Sequence, residues 1–345
     1  MAGRKRKSRK KKNSTARFLP AFLAVVLLAA GAAGWAVLAP FGPTQETFVE
    51  VPIGSSTARI GQLLEQGGVV RSRYAFELVR IWKRGTLRAG EYRFDRSVPV
   101  SEIYARIARG DVYTKTVTIP EGSTIFDIAA RLEQAGLGPS KEFLDTATQQ
   151  IRLVADLDPN AKSLEGYLFP DTYHLPRKAT PQQICASMVR RFRVVAAQLG
   201  LNEHVHAVVT LASLVERETA VESERPKVAS VFQNRLAKGM PLMTDPAVIY
   251  GLEQEGRWRG TIYRSDLAHD TAYNTYLHKG LPPGPIANPG IKSLRAAMDP
   301  AHTDYLYFVA AGANPQGFSI FSSTLKEQNQ NVAGYRHAMK HAGGR

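Results

Sequence analysis

The sequence predicts an α+β protein with an N-terminal transmembrane helix, a region of repeated βα units, and a mixed helical and loop-rich C-terminal domain. Three observations predict this order: an apolar run without a charge, a segment that recurs 68 residues later, and helical periodicity interrupted by proline-rich loops. The 345 residues suffice for two or three compact units, and 44% hydrophobic content argues against general disorder. We predict a basic tail at 1–17, the membrane helix at 18–41, the repeat region at 44–160 and the C-terminal domain at 161–340.

The N-terminal segment is first strongly basic and then strongly apolar. Nine lysine or arginine residues lie within 1–17, where there is no acid, against a net charge of +15 for the whole chain. The next 24 residues, Phe18 to Phe41, carry no charge and are long enough to cross a bilayer of about 30 Å. The basic tail is therefore predicted to be juxtamembrane, and no nucleic-acid partner is expected.

This arrangement predicts a location. The positive-inside rule indicates a single-pass protein of the plasma (inner) membrane, with a cytoplasmic N-terminus and a periplasmic or extracellular remainder. Membrane lipids are then partners through the N-terminal helix, and anionic headgroups attract the tail. A cleaved signal peptide is the alternative, which the long apolar run and the lack of a clear cleavage site disfavour.

Two stretches, beginning at Pro52 and Pro120, align without a gap. The identical pairs are Pro52/Pro120, Gly54/Gly122, Ser55/Ser123, Ile60/Ile128, Leu64/Leu132, Glu65/Glu133, Gln66/Gln134 and Gly68/Gly136. Each copy predicts a strand, a turn that caps a helix, and a helix ended by glycine. The pattern resembles the opening of a LysM module, a class that binds N-acetylglucosamine-containing glycans. Two roles stay open: a glycan contact, or a packing module that spaces the C-terminal domain from the membrane.

The C-terminal domain begins with an aromatic-rich loop and continues with helices. Helices are predicted at 182–199, 203–220 and 224–238, followed after Asp245 by loops rich in proline and glycine. A terminal hairpin is predicted from YLYFVA and GFSIFSS. The single cysteine, Cys185, cannot form an internal disulfide and is expected to be buried.

Two carboxylates end the second of these helices, and they are not equivalent. At about 100° per residue, Glu218 falls close to Leu211 at the edge of the apolar stripe, whereas Glu216 is predicted to point toward the wetter flank. One interpretation is a solvated helix surface with arginine partners, as most charge runs are. The other is a buried general acid, because burial disfavours the ionised form of a carboxyl group.

The same region carries several family motifs in order. The blocks VERETAVESERPKVASVFQNRL, TDPAVIYG, TAYNTYLHKGLPPGPIANPG and YLYFVA resemble the signature blocks of the YceG-like endolytic murein transglycosylases, the MltG family. The loop SLEGYLFPDTYHLP resembles that family's G-x-x-x-PDTY block, which contains Asp171. The resemblance runs from the membrane segment to about Tyr335, which is far more specific than one short pattern.

The resemblance implies a membrane-anchored lyase that cuts MurNAc–GlcNAc bonds within peptidoglycan glycan strands and leaves 1,6-anhydro-MurNAc ends. Such an enzyme would act as a terminator of strand elongation, with glycan strands as substrate and cell-wall synthases as candidate partners. It implies Glu218, followed by Thr219, as the catalytic acid, with Glu216 as the alternative. It further implies that the residues in contact with substrate are Thr244, Asp245, Tyr273, Asn274, Tyr276 and Asp171. No metal or organic cofactor is required.

Other functions have weaker support in the sequence. His204 and His206 lack the HExxH spacing of a zinc hydrolase, and no GxSxG elbow or Walker loop occurs. Tyr167, Phe169 and Tyr173 either stack on sugar faces or belong to the core. A non-catalytic glycan-binding scaffold of the cell-wall machinery, built on the LysM-like repeat, is the alternative from another class.

Overall fold

The computed structural model describes residues 15–312 and 317–342. Most of the predicted basic tail, 1–14, lies outside the described residues, as do the last three residues. The chain forms two compact units that divide between Thr114 and Lys115. The fold is a mixed α+β structure with one apolar N-terminal helix.

The described residues of the first unit, from Thr15 onward, form four helices and two strands. In chain order they are α1 (Thr15–Leu38), β1 (Thr47–Val51), α2 (Thr57–Gln66), α3 (Arg73–Lys83), β2 (Gly90–Phe94) and α4 (Val100–Arg109). Strands β1 and β2 pair antiparallel, from Thr47 opposite Phe94 to Val51 opposite Gly90. The apolar faces of the helices pack on this ribbon, and Leu64, Phe76 and Ile103 are fully buried. A two-stranded ribbon is stable only with such packing.

Helix α1 agrees with the predicted apolar segment to within a few residues. Its stretch Pro20–Leu38 has a mean hydropathy of 2.3 and is almost wholly exposed. Near its C-terminal end, Ala36 and Val37 pack against the core of the first unit. By length and composition this helix is compatible with a single membrane span.

The second unit begins with the second copy of the repeat. Its elements are β3 (Thr114–Thr118), α5 (Ile125–Gln134), α6 (Ser140–Gln149), β4 (Thr172–Pro176), α7 (Pro181–Leu199), α8 (Val205–Glu218), α9 (Arg225–Ala237), α10 (Asp245–Gln254), α11 (Arg264–Leu267), α12 (Ile291–Met298), β5 (Tyr307–Ala310), β6 (Ser319–Ser322) and α13 (Leu325–Ala342). Strands β3 and β4 form one two-stranded sheet, and β5 and β6 another. The predicted terminal hairpin is present, with Tyr307 opposite Ser322 and Ala310 opposite Ser319.

The two repeat copies have the same local structure. Helices α2 and α5 each have ten residues, begin after a hydroxyl side chain that accepts an N–H hydrogen bond, and lie 68 positions apart. Gly54 and Gly122 have φ values of 78° and 76°, a region that glycine occupies without steric cost. In both copies a second helix follows, and a later strand returns to pair with the first strand.

The division between the units differs from the predicted boundary between 160 and 161. Ile119, Ile128 and Leu132 of the second copy share one continuous hydrophobic core with helices α7, α8 and α12. The second copy therefore belongs to the same unit as the predicted C-terminal domain. A sequence repeat identifies similar local structure, but only the surface that each copy buries decides the unit to which it belongs.

Candidate active site

Glu218 is the last residue of α8 and lies at the end of a buried helical stripe. Leu211, Ala212 and Val215 are buried on this helix, and Thr219 ends it in an extended conformation. Burial raises the pKa of Glu218 to about 7, and the negative charge of Asp245 raises it further. The C-terminal end of a helix dipole acts in the same direction, because it also disfavours a negative charge. Glu218 therefore keeps its proton to a higher pH than an ordinary glutamate does.

Thr244 is the nearest hydrogen-bond partner of Glu218. Its Oγ1 donates to Oε2 of Glu218 at 3.2 Å, and its side chain is buried. Thr244 is the residue before α10, a position where a hydroxyl usually caps the helix. Here the hydroxyl makes no capping bond and is directed to the carboxyl group instead. The hydrogen bond opposes the rise in the pKa of Glu218 and holds one of its oxygens in place.

The loop that contains TAYNTY holds Thr244 in position. Thr275 accepts a hydrogen bond from the backbone N–H of Thr244 at 3.0 Å, and its own carbonyl accepts one from Met243 at 3.1 Å. Asn274 is fully buried, and its amide donates to the carbonyls of Leu267 and His269. The predicted substrate contact Asn274 is thus surrounded by protein, and its hydrogen bonds fix the loop.

The TAYNTY block also contains two tyrosines that were predicted to contact substrate, and their surroundings differ. Tyr276 donates its hydroxyl hydrogen to Asp245 at 2.6 Å, and Asp245 is exposed. Tyr273 is half-buried, with its ring centroid 4.9 Å from that of Tyr250. Asp245 therefore presents an exposed carboxylate near Glu218, whereas Tyr273 mainly packs on α10.

Glu218 lies where two cavities meet. The strand-side cavity, of about 520 Å³, is bounded by Asp245, the hairpin β5–β6 and Tyr335. The turn-side cavity, of about 420 Å³, is bounded by the turn at Glu121 and Gly122 and by Arg225. Residues 218–220 line both cavities. A polymer bound through both would therefore pass directly across Glu218.

Glu216 corrects one expectation from the sequence. It does not point to a wet flank, because its side chain is only 5% exposed. Arg225 donates to Oε1 at 2.9 Å, and the backbone N–H of Gly290 donates to Oε2 at 2.9 Å. Helices α9 and α12 pack against α8 and cover the side that periodicity assigned to solvent. Both oxygens of Glu216 are thus engaged by the protein.

Asp171 is not brought to this site. It precedes β4 and lines neither cavity. Its carboxylate forms an ion pair with Arg191 at 2.6 Å and accepts the N–H of Thr172 at 2.7 Å. The aromatic residues around it, Tyr167, Phe169 and Tyr173, are buried, so they belong to the core rather than to an exposed stacking surface.

Two charged residues of this unit, Arg235 and Glu165, were not identified from the sequence. Arg235 donates to the carbonyls of Leu306 and Leu242, and its positive charge lowers the pKa of Glu218. It follows Phe232 by three residues on the apolar stripe of α9, so the criterion that identified Glu218 would also have identified it. Burial raises the pKa of Glu165 to about 8, and it accepts hydrogen bonds from Ile125 and Asn288. No sequence signal distinguishes Glu165 from a loop glutamate.

Similar proteins identify the family to which this arrangement belongs. A curated endolytic murein transglycosylase of Bacillus subtilis is 34% identical over 325 residues, which cover 86% of this chain and 87% of that protein. A protein of the same name from Streptococcus pneumoniae R6 is 29% identical over 321 residues, covering 83% of this chain and 57% of the relative.

A solved structure is also similar. The crystal structure of a YceG-like protein from Listeria monocytogenes has a TM-score of 0.54 and 32% sequence identity, and the match covers 84% of this chain and 99% of that one. The family model described as the YceG-like family matches residues 49–334, which include both repeat copies and Glu218 with its neighbours Thr244, Asp245 and Tyr276. This chain is therefore a member of the YceG-like family.

Proposed function

We propose that the protein is a membrane-anchored endolytic murein transglycosylase with Glu218 as its general acid and base. The observation that carries this proposal is a carboxyl group with a pKa of about 7 at the junction of two cavities. A group with that pKa can both donate and recover a proton near neutral pH. The names of the Bacillus and Streptococcus relatives support the same substrate and reaction.

The proposed reaction needs one carboxyl group. Glu218 donates its proton to the oxygen that bridges C1 of MurNAc and the GlcNAc residue, and the C1–O bond breaks. The C6 hydroxyl oxygen of the same MurNAc then bonds to C1, and its proton passes to the carboxylate of Glu218. The products are a 1,6-anhydro-MurNAc end and a GlcNAc hydroxyl, and no water is consumed. A glycosidase that uses water would normally require a second carboxylate.

The neighbours of Glu218 have separate proposed roles. Thr244 orients the carboxyl group through its hydrogen bond. Asp245 contacts the glycan in the strand-side cavity, Tyr276 orients Asp245 through its hydrogen bond, and the charge of Asp245 adds to the effect of burial that raises the pKa of Glu218. Asn274 and Tyr273 are assigned to holding the TAYNTY loop rather than to direct contact, because Asn274 is fully buried and the ring of Tyr273 packs on Tyr250. Asp171 is assigned a structural role with Arg191.

The cavities on both sides of Glu218 support cleavage within a strand rather than at its end. A strand would place sugars in the strand-side and turn-side cavities at once, so the scissile bond has occupied positions on either side. We therefore propose strand termination during elongation as the role, with cell-wall synthases as partners. The alternative, a glycan-binding scaffold without catalysis, would not need a carboxyl group with a raised pKa at the junction.

Helix α1 is proposed as the membrane anchor. Its stretch Pro20–Leu38 is 19 residues long, which matches the hydrocarbon thickness of a bilayer. We propose a cytoplasmic N-terminus and a periplasmic or extracellular remainder, supported by the basic residues of the tail. The same proposal includes a LysM-like character for the two repeats and a contact between the repeats and glycan.

Product analysis tests the proposal directly. We expect the detergent-solubilised full chain to convert purified uncrosslinked glycan strands into shorter strands, and mass spectrometry should detect new 1,6-anhydro-MurNAc ends at internal positions. Reducing MurNAc ends would indicate hydrolysis instead of transglycosylation. Binding to the strands without any new ends would support the scaffold.

The pH dependence of the rate is expected to report the ionisation of Glu218. Only the protonated acid can start the reaction, so kcat/KM should fall above about pH 7, by about tenfold for each further pH unit. Asp245→Asn removes a negative charge that raises the pKa of Glu218, so its fall should begin at a lower pH. Initial rates of anhydro-end formation across the neutral range would measure both curves, and an unchanged rate well above neutrality would contradict the assignment.

The folded fraction needs to be measured at each pH as a control. The pKa of Glu165 is raised from 4.5 to about 8, so the folded state binds its proton more tightly than the unfolded state does. The resulting stabilisation is complete below pH 4.5 and is lost as the pH rises toward 8. Circular dichroism at each pH separates this loss of stability from ionisation of the catalytic group.

A further inference from the structure

Helix α3 has an exposed apolar face that the fold of its unit does not use. Ala75, Phe76 and Val79 point into the core of the first unit. A second stripe points outward, and its exposed fractions are 62% for Tyr74, 46% for Leu78, 69% for Ile81 and 82% for Trp82. Contiguous exposed side chains of this size on a soluble surface usually mark an interaction site.

This face lies beside the apolar helix α1. A cavity of about 840 Å³ separates the two helices, and its lining includes Ala30, Gly34 and Leu38 of α1 with Leu78 and Trp82 of α3. Ala30 and Leu38 are eight residues apart, or about 12 Å along a helix. The outer face of α3 is thus level with about the last half of the segment Pro20–Leu38.

The position of α1 against this unit is held by several contacts. The guanidinium of Arg71 lies 4.2 Å from the ring centroid of Trp35 and 4.7 Å from that of Phe41. Phe41 also forms an isolated β-bridge with Val98. The last turns of α1 and the body of the first unit are therefore joined rather than linked by a free tether.

The charges around α3 complete the pattern. Helix α3 contains one acid, Glu77, whereas the helix and its flanks contain the basic residues Arg71, Arg73, Arg80, Lys83 and Arg84. Amphipathic helices with apolar aromatic and aliphatic side chains on one face and lysine or arginine on the other bind at the boundary between headgroups and acyl chains. Anionic lipid headgroups attract such basic residues, so the charges favour a bilayer over a second basic copy of this chain.

We propose that the outer face of α3 is a membrane-interface element, inserted among the lipid headgroups of the bilayer that α1 spans. The proposal rests on the proposed anchor but not on the proposed catalysis. Trp35 and Trp82 would then lie together at the outer boundary of the bilayer, where tryptophan is favoured. Lipid acyl chains would fill the cavity between α1 and α3, and the first unit would be docked on the membrane surface.

Tryptophan quenching by brominated lipids tests this placement in the full chain. The sequence has three tryptophans, Trp35, Trp82 and Trp258. The double variant W35F/W258F leaves Trp82 alone, and W82F/W258F leaves Trp35 alone as the reporter of the anchor. Each would be reconstituted into vesicles of zwitterionic and anionic lipids whose acyl chains carry bromine close to the headgroup. We expect both variants to lose most of their fluorescence relative to vesicles without bromine.

The outcomes distinguish the inference from the rest of the function. Quenching of Trp35 but not of Trp82 would overturn the interfacial placement and leave the anchor intact, and quenching of neither would overturn both. Self-crosslinking of the chain through α3, with Trp82 unquenched, would replace the lipid by a second copy. Adding Ile81→Glu to the Trp82-only chain should restore its fluorescence. If a double variant misfolds, the single variant W82F provides the test. Bromine should quench less fluorescence in W82F than in the unchanged protein. An equal quenched amount in the two proteins would overturn the proposal.

Discussion

Glu218→Gln is expected to fold normally, bind glycan strands and form almost no anhydro ends. Loss of a general acid lowers a rate by about 10² to 10⁴, because the amide fills the same space but cannot donate and recover a proton. The hydroxyl of Thr244 can still donate to the amide oxygen, so local structure should be kept. The rate of anhydro-end formation and the affinity for strands should be measured on the same glycan preparation.

Glu253→Gln is the matched control. Burial raises the pKa of Glu253 to about 7, as it does for Glu218, but Glu253 lies near the end of α10 and lines neither of the two cavities. The two glutamates therefore have similarly raised pKa values, but only Glu218 lines the two cavities. We expect Glu253→Gln to keep most of its activity. Near-normal product from Glu218→Gln would refute the catalytic assignment.

Glu216→Gln is expected to lower the free energy of unfolding by about 3 kcal/mol, while the folded protein keeps measurable activity. Glu216 and Arg225 are 5% and 9% exposed, so the ion pair is almost fully removed from water. Both oxygens of Glu216 accept hydrogen bonds, one from Arg225 and one from Gly290. Glutamine has only one oxygen, so its amide nitrogen would face another donor. Denaturant unfolding measures this cost.

A double-mutant cycle with Arg225→Met isolates the ion pair. Removing one partner leaves the other charge buried and unpaired, whereas removing both restores neutrality, so the double variant should be more stable than the sum of the two single losses indicates. Glu222→Gln provides the surface control, because Glu222 and its partner Lys292 are 63% and 49% exposed. That change should cost at most about 1 kcal/mol. A stable Glu216→Gln protein without activity would exchange the roles of the two glutamates.

The sequence by itself determined the elements whose pattern is local. The repeat predicted two helices of equal length at the same offset, and capping residues and terminal glycines predicted their ends. Helices α7, α8 and α9 were predicted to within a few residues, because their apolar stripes recur with helical periodicity. Periodicity also placed Glu218 at the edge of a buried stripe, which is the property that raises its pKa.

Helices α3, α6, α10, α11 and α13 were not predicted, and α10 and α13 lack such a pattern. TDPAVIYG was predicted to be a loop but begins α10, since its proline occupies the first turn, where no N–H is needed. The polar sequence of α13 has no clear apolar stripe. It is held instead by the hairpin, where Gln328 donates to the carbonyl of Phe308 and Asn331 donates to Ser322.

Only the tertiary structure decided how each of the two carboxylates of α8 is surrounded. A helical wheel treats every flank of α8 that lacks apolar residues as solvent, yet α9 and α12 cover the flank that carries Glu216. Arg225 and Gly290 occupy the two oxygens of Glu216, which lines only the turn-side cavity, while Glu218 lines both cavities. Thr275 likewise supports Thr244 through a hydrogen bond between residues that are 31 positions apart in the sequence. Such long-range contacts depend on how helices pack, and packing between distant segments leaves no periodic trace in the sequence.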